Sequence, residues 1–262
     1  MRTFVRHYIV PLARACRWKS ICEIGARTGT STNYLVKLPL ESHTIIDPCL
    51  DEDLQAKYAG NTRVHVVKKN SLDALSFDAL APGGGIGSGT GFDGILIDGD
   101  HNWYTVFNEL RLIHERALVR PGGYIFLHDV DWPYGRRDLY YQPDTIPAEF
   151  RHPFAEKGIV RGQSSLAEVG GFNSRNYLNA LEEGGPKNGV LTAIEDFLAL
   201  HPNDYRFFMI RYQWGLGVLQ LRSARPFSGL SFRMLQAKAF LLSPVSRLAR
   251  SIKFAFKPQS AS

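Results

Sequence analysis

The chain has 262 residues, of which 44% are hydrophobic and 21% charged, and its net charge is +6 at pH 7. This is an ordinary globular composition, and a chain of this length can bury a sizeable core without disulfide bridges. No apolar run approaches the roughly 18 residues that span a bilayer. Arginine and histidine interrupt the apolar N-terminus, which argues against a secretory signal peptide. Three cysteines without metal-binding spacing, Cys16, Cys22 and Cys49, favour reduced thiols in the cytoplasm.

The first 130 residues alternate between buried strands and helical patterns. The predicted strands are Ser20–Ile24, His43–Ile46, Val64–Val67, Gly94–Ile97 and Tyr124–Leu127. A helix is predicted over Thr30–Leu38, where threonine and serine can cap its start. A second helix is predicted from one apolar face at helical spacing, made of Val106, Phe107, Leu110, Ile113 and Ala117. Such repetition predicts a doubly wound α/β fold with a mostly parallel sheet.

The rest of the chain adds one helix and two strands to this pattern. The helix is predicted over Gly189–Leu200, and the strands Arg206–Arg211 and Gly217–Leu221 are close enough to pair as a hairpin. Residues 81–94 are rich in glycine but lack the Gly-Lys-Ser/Thr of a phosphate loop. We therefore interpret that segment as a flexible surface connection.

Each predicted strand of the first 130 residues runs into a glycine or a polar residue. These residues are Gly25, Asp47, Asn70, Asp98 and Asp129. In open parallel sheets, ligands bind beyond the carboxyl ends of the strands. The sequence therefore predicts a binding site along that edge of the sheet.

The segment that begins Ile21-Cys-Glu-Ile-Gly-Ala-Arg-Thr-Gly resembles the first motif of class I S-adenosylmethionine-dependent methyltransferases. Glu23, Gly25 and Gly29 match its Glu-x-Gly-x-x-x-Gly form, which differs from the Gly-x-Gly-x-x-Gly of NAD-binding proteins. The resemblance implies a Rossmann-like fold with seven strands, the last two forming an antiparallel hairpin. It also implies that Asp47 holds the ribose of the cofactor. The cofactor-binding residues it implies are Glu23, Gly25, Ala26, Gly29, Thr30, Ser31, Asp47, Asn70, Ser71 and Asp98.

Two further segments, residues 93–101 and 122–131, resemble a metal-dependent O-methyltransferase group that includes enzymes methylating sugar hydroxyls of macrolides. The resemblance implies that Asp98 and Asp129 hold Mg²⁺ and that His101 is the catalytic base. The position before Asp129 is acidic or polar in that group but is His128 here. His128 is therefore the predicted third metal ligand, with Asp131 or water as the alternative.

The chemistry of the predicted residues suits this reaction. A sugar hydroxyl is a weak nucleophile near pH 7, and a cation held by carboxylates can lower its pKa and orient it. Histidine is the side chain best suited to accept the proton at neutral pH. We expect an O-methyltransferase for a sugar or glycoconjugate. The alternatives are an O-methyltransferase for a small phenolic acceptor and an inactive methyltransferase fold that serves as a binding subunit.

Residues 130–200 are predicted to cover the site and bind the acceptor, because aromatic faces stack on sugar rings and arginines pair with anions. The candidate acceptor-binding residues are Trp132, Tyr134, Arg136, Arg137, Tyr140, Tyr141, Arg151 and His152. The predicted organisation is a helical N-terminal segment over residues 1–19, a methyltransferase domain over 20–223 that includes this insertion, and a basic tail over 224–262.

Positive charge is concentrated at the C-terminal end. Asp204 is the last acidic residue, and residues 205–262 hold ten of the lysines and arginines, which leaves residues 1–204 with a net charge of −4. Basic and apolar residues alternate through Phe232–Lys257, so the tail could lie on an anionic membrane surface or pack on the body or on a second subunit. No motif supports nucleic-acid binding. We expect a cytoplasmic protein, peripheral to the membrane if the tail binds it, and a homo-oligomer is compatible with the sequence.

Overall fold

The computed structural model describes residues 1–80, 91–223 and 232–238. The strands in these residues are β1 (Ser20–Ile24), β2 (Ser42–Ile46), β3 (Val64–Val67), β4 (Phe92–Ile97), β5 (Val119–His128), β6 (Leu139–Tyr140), β7 (Phe154–Ala155), β8 (Leu178–Ala180), β9 (Tyr205–Ile210) and β10 (Leu216–Leu221). The α-helices are α1 (Arg2–Phe4), α2 (Val10–Ala15), α3 (Thr32–Leu35), α4 (Glu52–Tyr58), α5 (Ser71–Leu75), α6 (Trp103–Glu115) and α7 (Val190–Leu200). Residues 5–9 are π-helical, and residues 232–238 form a further helix.

Seven strands form the main sheet, in the order β3-β2-β1-β4-β5-β10-β9. The first five are parallel to one another, and β10 runs antiparallel to both β5 and β9. The predicted mostly parallel sheet with a terminal antiparallel hairpin is therefore confirmed. The order also brings the carboxyl ends of β1, β2, β4 and β5 to one edge of the sheet.

Helices cover both faces of this sheet, as a doubly wound fold requires. On one face α6 and α7 pack against the apolar side of β4 and β5, with Phe197 fully buried between them. On the other face the helical segment before β1 contributes the buried side chains of Phe4 and Ile9. Phe232 and Leu235 of the 232–238 helix join that second cluster, so the described part of the tail packs on the body.

Two predicted helices differ from the structure at their ends. The helix predicted over Thr30–Leu38 is only Thr32–Leu35, and Ser31 at its start makes no side-chain capping bond. The Thr32 hydroxyl instead donates to the buried carboxylate of Glu23, 2.8 Å away. Ala117, predicted to lie on the apolar face of α6, falls after the helix with φ 51°.

The insertion has more structure than its sequence pattern indicates. Strands β6, β8 and β7 form a small antiparallel sheet. Asp138 ties this unit to the main domain, because its carboxylate accepts bonds from the backbone N–H of Trp103 and of Gly189, each at 2.7 Å. Asp138 thereby joins the start of α6 to the residue that precedes α7.

Some predictions lie outside the described residues. They concern residues 81–90 of the glycine-rich segment and residues 224–231 and 239–262 of the tail. In the described ranges, the helices are all too short or too polar to cross a bilayer.

Candidate functional site

The ends of β4 and β5 bring four ionisable side chains together. Ile97 of β4 pairs with Leu127 of β5, so the next residues, Asp98 and His128, lie side by side at this edge of the sheet. One potential ligand atom from each of four residues lies within 4.8 Å of the others: Asp98, His101, His128 and Asp129. The predicted base and all three predicted metal ligands therefore share one cluster, which we call the strand-end cluster.

Capping of α6 positions His101 in this cluster. Asn102 is the N-cap, and its side chain accepts a bond from the backbone N–H of Thr105 at 2.8 Å. His101 is therefore held one residue before the N-cap of α6, where its carbonyl oxygen accepts from the backbone N–H of Leu139 at 3.1 Å. This backbone bond also brings the insertion against the strand-end cluster.

Short ionic contacts connect the four side chains. His101 Nε2 lies 2.6 Å from Asp129 Oδ2 and 3.8 Å from Asp98 Oδ1. His128 Nδ1 lies 3.0 Å from Asp98 Oδ1 and 2.9 Å from Asp129 Oδ2, and its Nε2 lies 2.8 Å from the amino group of Met1. Asp129 has φ 58°, the left-handed region that non-glycine residues rarely adopt. Such strained residues concentrate at ligand-binding and active sites.

Burial disfavours charge on each of these groups, but the opposite charges outweigh it. Asp98 and Asp129 raise the pKa of His128 to about 9 despite its burial. Asp129 likewise raises the pKa of the buried His101 well above its usual 6.5. The histidines in turn hold the pKa values of the partly buried Asp98 and the buried Asp129 carboxyls well below their usual range. The four groups therefore form an alternating network of imidazolium and carboxylate.

The first-motif loop and Asp47 lie along the same edge of the sheet. Asp47 follows β2, and its carboxylate accepts from the backbone N–H of Arg27 at 2.6 Å and of Cys49 at 2.8 Å. Gly25 follows β1 with φ 83°, and a Cβ there would lie 2.3 Å from the carbonyl oxygen of Asp98. Only glycine permits this approach, so the loop directly abuts the strand-end cluster.

Glu23 lies beneath this loop. Its side chain is buried, and Oε2 accepts from Thr32 and lies 3.2 Å from His43 Nε2. Its Oε1 is buried without a hydrogen-bond partner among the described residues. In this structure Glu23 connects β1 to the start of α3, and so supports the loop from below.

The remaining predicted cofactor residues lie on the loops after β1 and β3. Ala26 and Ser31 are buried, whereas Thr30 is exposed and its hydroxyl lies 3.1 Å from that of Thr28. Asn70 is the exposed N-cap residue of α5, and its side chain makes no capping bond. The residues predicted for the cofactor thus flank the same edge of the sheet, and their roles in binding remain predictions.

Aromatic rings border the strand-end cluster on two sides. The rings of Tyr134 and Tyr141 lie 6.0 and 6.1 Å from that of His101, between centroids. On the other side Trp214, in the turn between β9 and β10, lies 6.1 Å from the ring of His128. Tyr141 is 49% and Trp214 42% exposed. The sequence singled out the two tyrosines but missed Trp214, because it comes from a hairpin far along the chain.

Several predicted acceptor-binding residues have structural partners instead. Arg137 is fully buried, and its guanidinium donates to the carbonyl oxygens of Ala180 and Ser164. Tyr140 is also buried, and its hydroxyl donates to Asp138 at 2.8 Å. These two predictions are wrong, because both side chains are buried and bonded within the insertion.

The other polar candidates of the insertion pair with neighbouring residues at the surface. Arg136 pairs with Glu195 at 2.6 Å, and Arg151 pairs with Asp144 at 3.2 Å. His152 contacts the carbonyl oxygen of Lys187. The side chain of Asp131, the alternative metal ligand, faces Arg211 at 3.6 Å and does not join the strand-end cluster.

Glu109 is a buried acid near the site that the sequence analysis did not identify. It lies on α6 with no exposed surface, and neither carboxylate oxygen has a hydrogen-bond partner within residues 1–80, 91–223 and 232–238. Burial raises the pKa of Glu109 to about 8. The nearby Ser71 side chain partly opposes this rise, and the charge of Asp100 adds to it. A signal was present in the sequence, because Glu109 falls on the apolar face between Val106 and Ile113.

The strand-end cluster has the donor chemistry of a divalent-cation site. Asp98 and Asp129 supply the hard oxygen ligands that Mg²⁺ and Mn²⁺ prefer, and the two imidazoles supply nitrogen ligands that suit Zn²⁺. His101 Nδ1 is buried and has no hydrogen-bond partner in the described part of the chain. Asp47 also fits a ribose, because each of its oxygens accepts one backbone bond and keeps a lone pair for a hydroxyl.

Comparison with protein families gives a match over part of the chain. Residues 22–130 match a family model described as a methyltransferase domain. A comparison with curated protein sequences finds no match.

The solved structures that align with this chain share little sequence with it. The SAH-bound methyltransferase PaMTH1 of Podospora anserina aligns over 82% of this chain and 76% of its own, with 13% identity and a TM-score of 0.48. The O-methyltransferase of Bacillus cereus, in complex with SAH, aligns over 82% and 79%, with 14% identity and a TM-score of 0.47. The 1,6-didemethyltoxoflavin-N1-methyltransferase of Burkholderia thailandensis aligns over 84% and 78%, with 14% identity and a TM-score of 0.47. At these values no residue role is carried over to this chain.

Proposed function

We propose that this chain, which carries a methyltransferase domain over residues 22–130, is an S-adenosylmethionine-dependent O-methyltransferase that acts on a hydroxyl of a sugar or glycoconjugate with the help of a divalent cation. The observation that carries the proposal is the strand-end cluster, which lies beside the first-motif loop at the edge where such sheets bind ligands. A donor and an acceptor bound there would lie close together.

The cofactor is proposed to lie over the first-motif loop. Asp47 would accept hydrogen bonds from the ribose hydroxyls, and Gly25 would let the backbone approach the ligand closely. Asn70 and Ser71 would border the adenine. Asp98, whose backbone contacts Gly25, would then adjoin both the cofactor and the cation.

The cation is proposed to lie between Asp98, Asp129 and His128. When bound there, a divalent ion lowers the pKa of a coordinated hydroxyl and holds it in place. The resemblance implies Mg²⁺, and the two carboxylates suit Mn²⁺ as well.

His101 is proposed to take the proton from the acceptor hydroxyl. Asp129, 2.6 Å from His101 Nε2, favours the protonated imidazole. A divalent cation on the two carboxylates would offset this effect, so that Nε2 could accept the proton. Positioning of the hydroxyl in line with the methyl group would supply much of the acceleration.

The acceptor is proposed to bind between Tyr141 and Trp214, the half-exposed rings on either side of the strand-end cluster. Aromatic faces stack against sugar rings. The same faces suit a flat phenolic ring, which supports a small phenolic acceptor as the second candidate. The insertion over residues 130–200 would then form one wall of the acceptor site.

Acceptor screening tests the proposal. The purified chain is incubated with methyl-labelled cofactor, Mg²⁺ or Mn²⁺, and either glycan extracts or catechol-type phenols, and the methylated products are identified by mass spectrometry. We expect a methyl ether on a sugar hydroxyl and its loss in Asp98→Asn. Methylation of phenols alone would favour the second candidate. Cofactor binding without any methylated product would instead favour an inactive binding subunit.

A further inference from the structure

A second group of potential metal ligands lies at the far end of α6. His114 is in the last turn of α6, His201 directly follows α7, and Asp204 precedes β9. One potential ligand atom from each lies within 4.8 Å of the others. Because α6 rises about 1.5 Å per residue, His114 lies roughly 20 Å from His101 at the opposite end of the helix. This group is therefore separate from the strand-end cluster.

Contacts around the two histidines indicate which ring nitrogen each would use. His114 Nδ1 lies 3.1 Å from the hydroxyl of Tyr205, and when these two atoms are bonded Nε2 is the nitrogen left for an ion. His201 Nδ1 lies 3.3 Å from Asp204 Oδ2, a separation that two ligand atoms of one ion can have. The two rings lie 3.9 Å apart between centroids.

The surroundings also favour a cation. Two helices of 13 and 11 residues end at this point, and the carboxyl end of a helix carries partial negative charge. The fully buried Phe197 packs against His201 and Tyr205, at 4.7 and 5.3 Å between ring centroids. The Asp204 side chain is 48% exposed, which lets an ion reach the group from solvent.

We infer that His114, His201 and Asp204 bind a transition-metal ion of the zinc class. Two imidazoles and one carboxylate are ligands that Zn²⁺, Co²⁺ and Ni²⁺ accept, with water completing the coordination. Mg²⁺ is a poor match, since it prefers oxygen ligands. The ion would connect the ends of α6 and α7 to the start of β9. It would thereby stabilise the packing of the insertion and of the terminal hairpin on the main domain.

The test uses the full chain after removal of metal by a chelator. Asp98→Asn/Asp129→Asn serves as the background, because it removes the carboxylates of the strand-end cluster as competing ligands. Zn²⁺ alone is titrated by calorimetry, and Co²⁺ serves as the spectroscopic probe. We expect one ion per chain in this background, visible Co²⁺ absorption bands and a melting temperature raised by about 5 °C at a hundredfold excess over Kd.

Two single variants and one control in the same background locate the ion. His114→Gln and His201→Gln are each expected to weaken Zn²⁺ binding by about 10- to 100-fold or more. His65→Gln is the matched control, since His65 is a partly buried histidine on β3 at the opposite edge of the sheet, and it should bind as the background does. Circular dichroism checks that each variant is folded.

Two results would overturn the inference. One is the absence of Zn²⁺ binding in the Asp98→Asn/Asp129→Asn background, which would assign any metal to the strand-end cluster. The other is equal Zn²⁺ affinity of the folded His114→Gln, His201→Gln and His65→Gln variants. Neither result would affect the proposed methyltransferase activity, which is measured separately.

Discussion

Replacing Glu109 with glutamine tests directly whether α6 buries a neutral carboxyl group. Burial raises the pKa of Glu109 from about 4.5 to about 8. Between these pH values the folded protein binds one proton more than the unfolded chain, so the free energy of unfolding decreases as pH rises. Below pH 4.5 both states are protonated, and the group makes no pH-dependent contribution.

The size of the effect follows from these limits. The free energy of unfolding should fall by about 1.4 kcal/mol per pH unit, or about 3 kcal/mol between pH 4.5 and pH 7. Glu109→Gln keeps the shape of the side chain and stays uncharged at every pH. Relative to wild type, the variant should therefore be about 3 kcal/mol more stable at pH 7 than it is at pH 4.5.

Urea unfolding of wild type and variant at several pH values between 4.5 and 8 measures this difference. Other titrating groups contribute to both proteins and cancel in the comparison. Glu115→Gln is the matched control on the same helix, because the Glu115 side chain is 50% exposed and pairs with Arg111 at the surface. Its difference from wild type should change little with pH.

The reasoning would be refuted if the Glu109→Gln difference were as independent of pH as the Glu115→Gln difference. Glu109 would then be ionised inside the folded protein, with partners that stabilise its charge. A carboxyl resonance of Glu109 titrating near pH 8 by NMR would support the stated direction independently.

Three further substitutions test the proposed site. Asp47→Ala should weaken binding of S-adenosylmethionine by about 1–3 kcal/mol, measured by calorimetry, and unchanged affinity would remove its ribose role. His101→Ala should keep cofactor affinity while turnover falls by roughly two to four powers of ten; wild-type turnover would eliminate it as the base. Gly25→Ala should lower stability by about 1–3 kcal/mol, because its φ is 83° and its Cβ would meet the backbone of Asp98; an unchanged thermal transition would contradict this.

Local sequence was sufficient to predict the strands of the main sheet. The bounds of β1 and β3 match their predictions, because buried parallel strands are short apolar runs that end at glycine or polar residues. Even Glu109 could have been identified, since an acid on the apolar face of a predicted helix is a visible exception. The sequence pattern did not predict β6, β7 and β8, because strands of two or three residues are too short to show an alternation of apolar and polar residues.

By itself, the sequence determined that Asp47, Asp98 and Asp129 follow strands of a parallel sheet, because a strand's end depends on its own residues. Only the tertiary structure decided that Tyr141 and Trp214 border the same cluster and that Arg137 is buried among backbone carbonyls. Such contacts join residues far apart in the chain. They arise from how the insertion and the hairpin pack on the sheet, which no local propensity specifies.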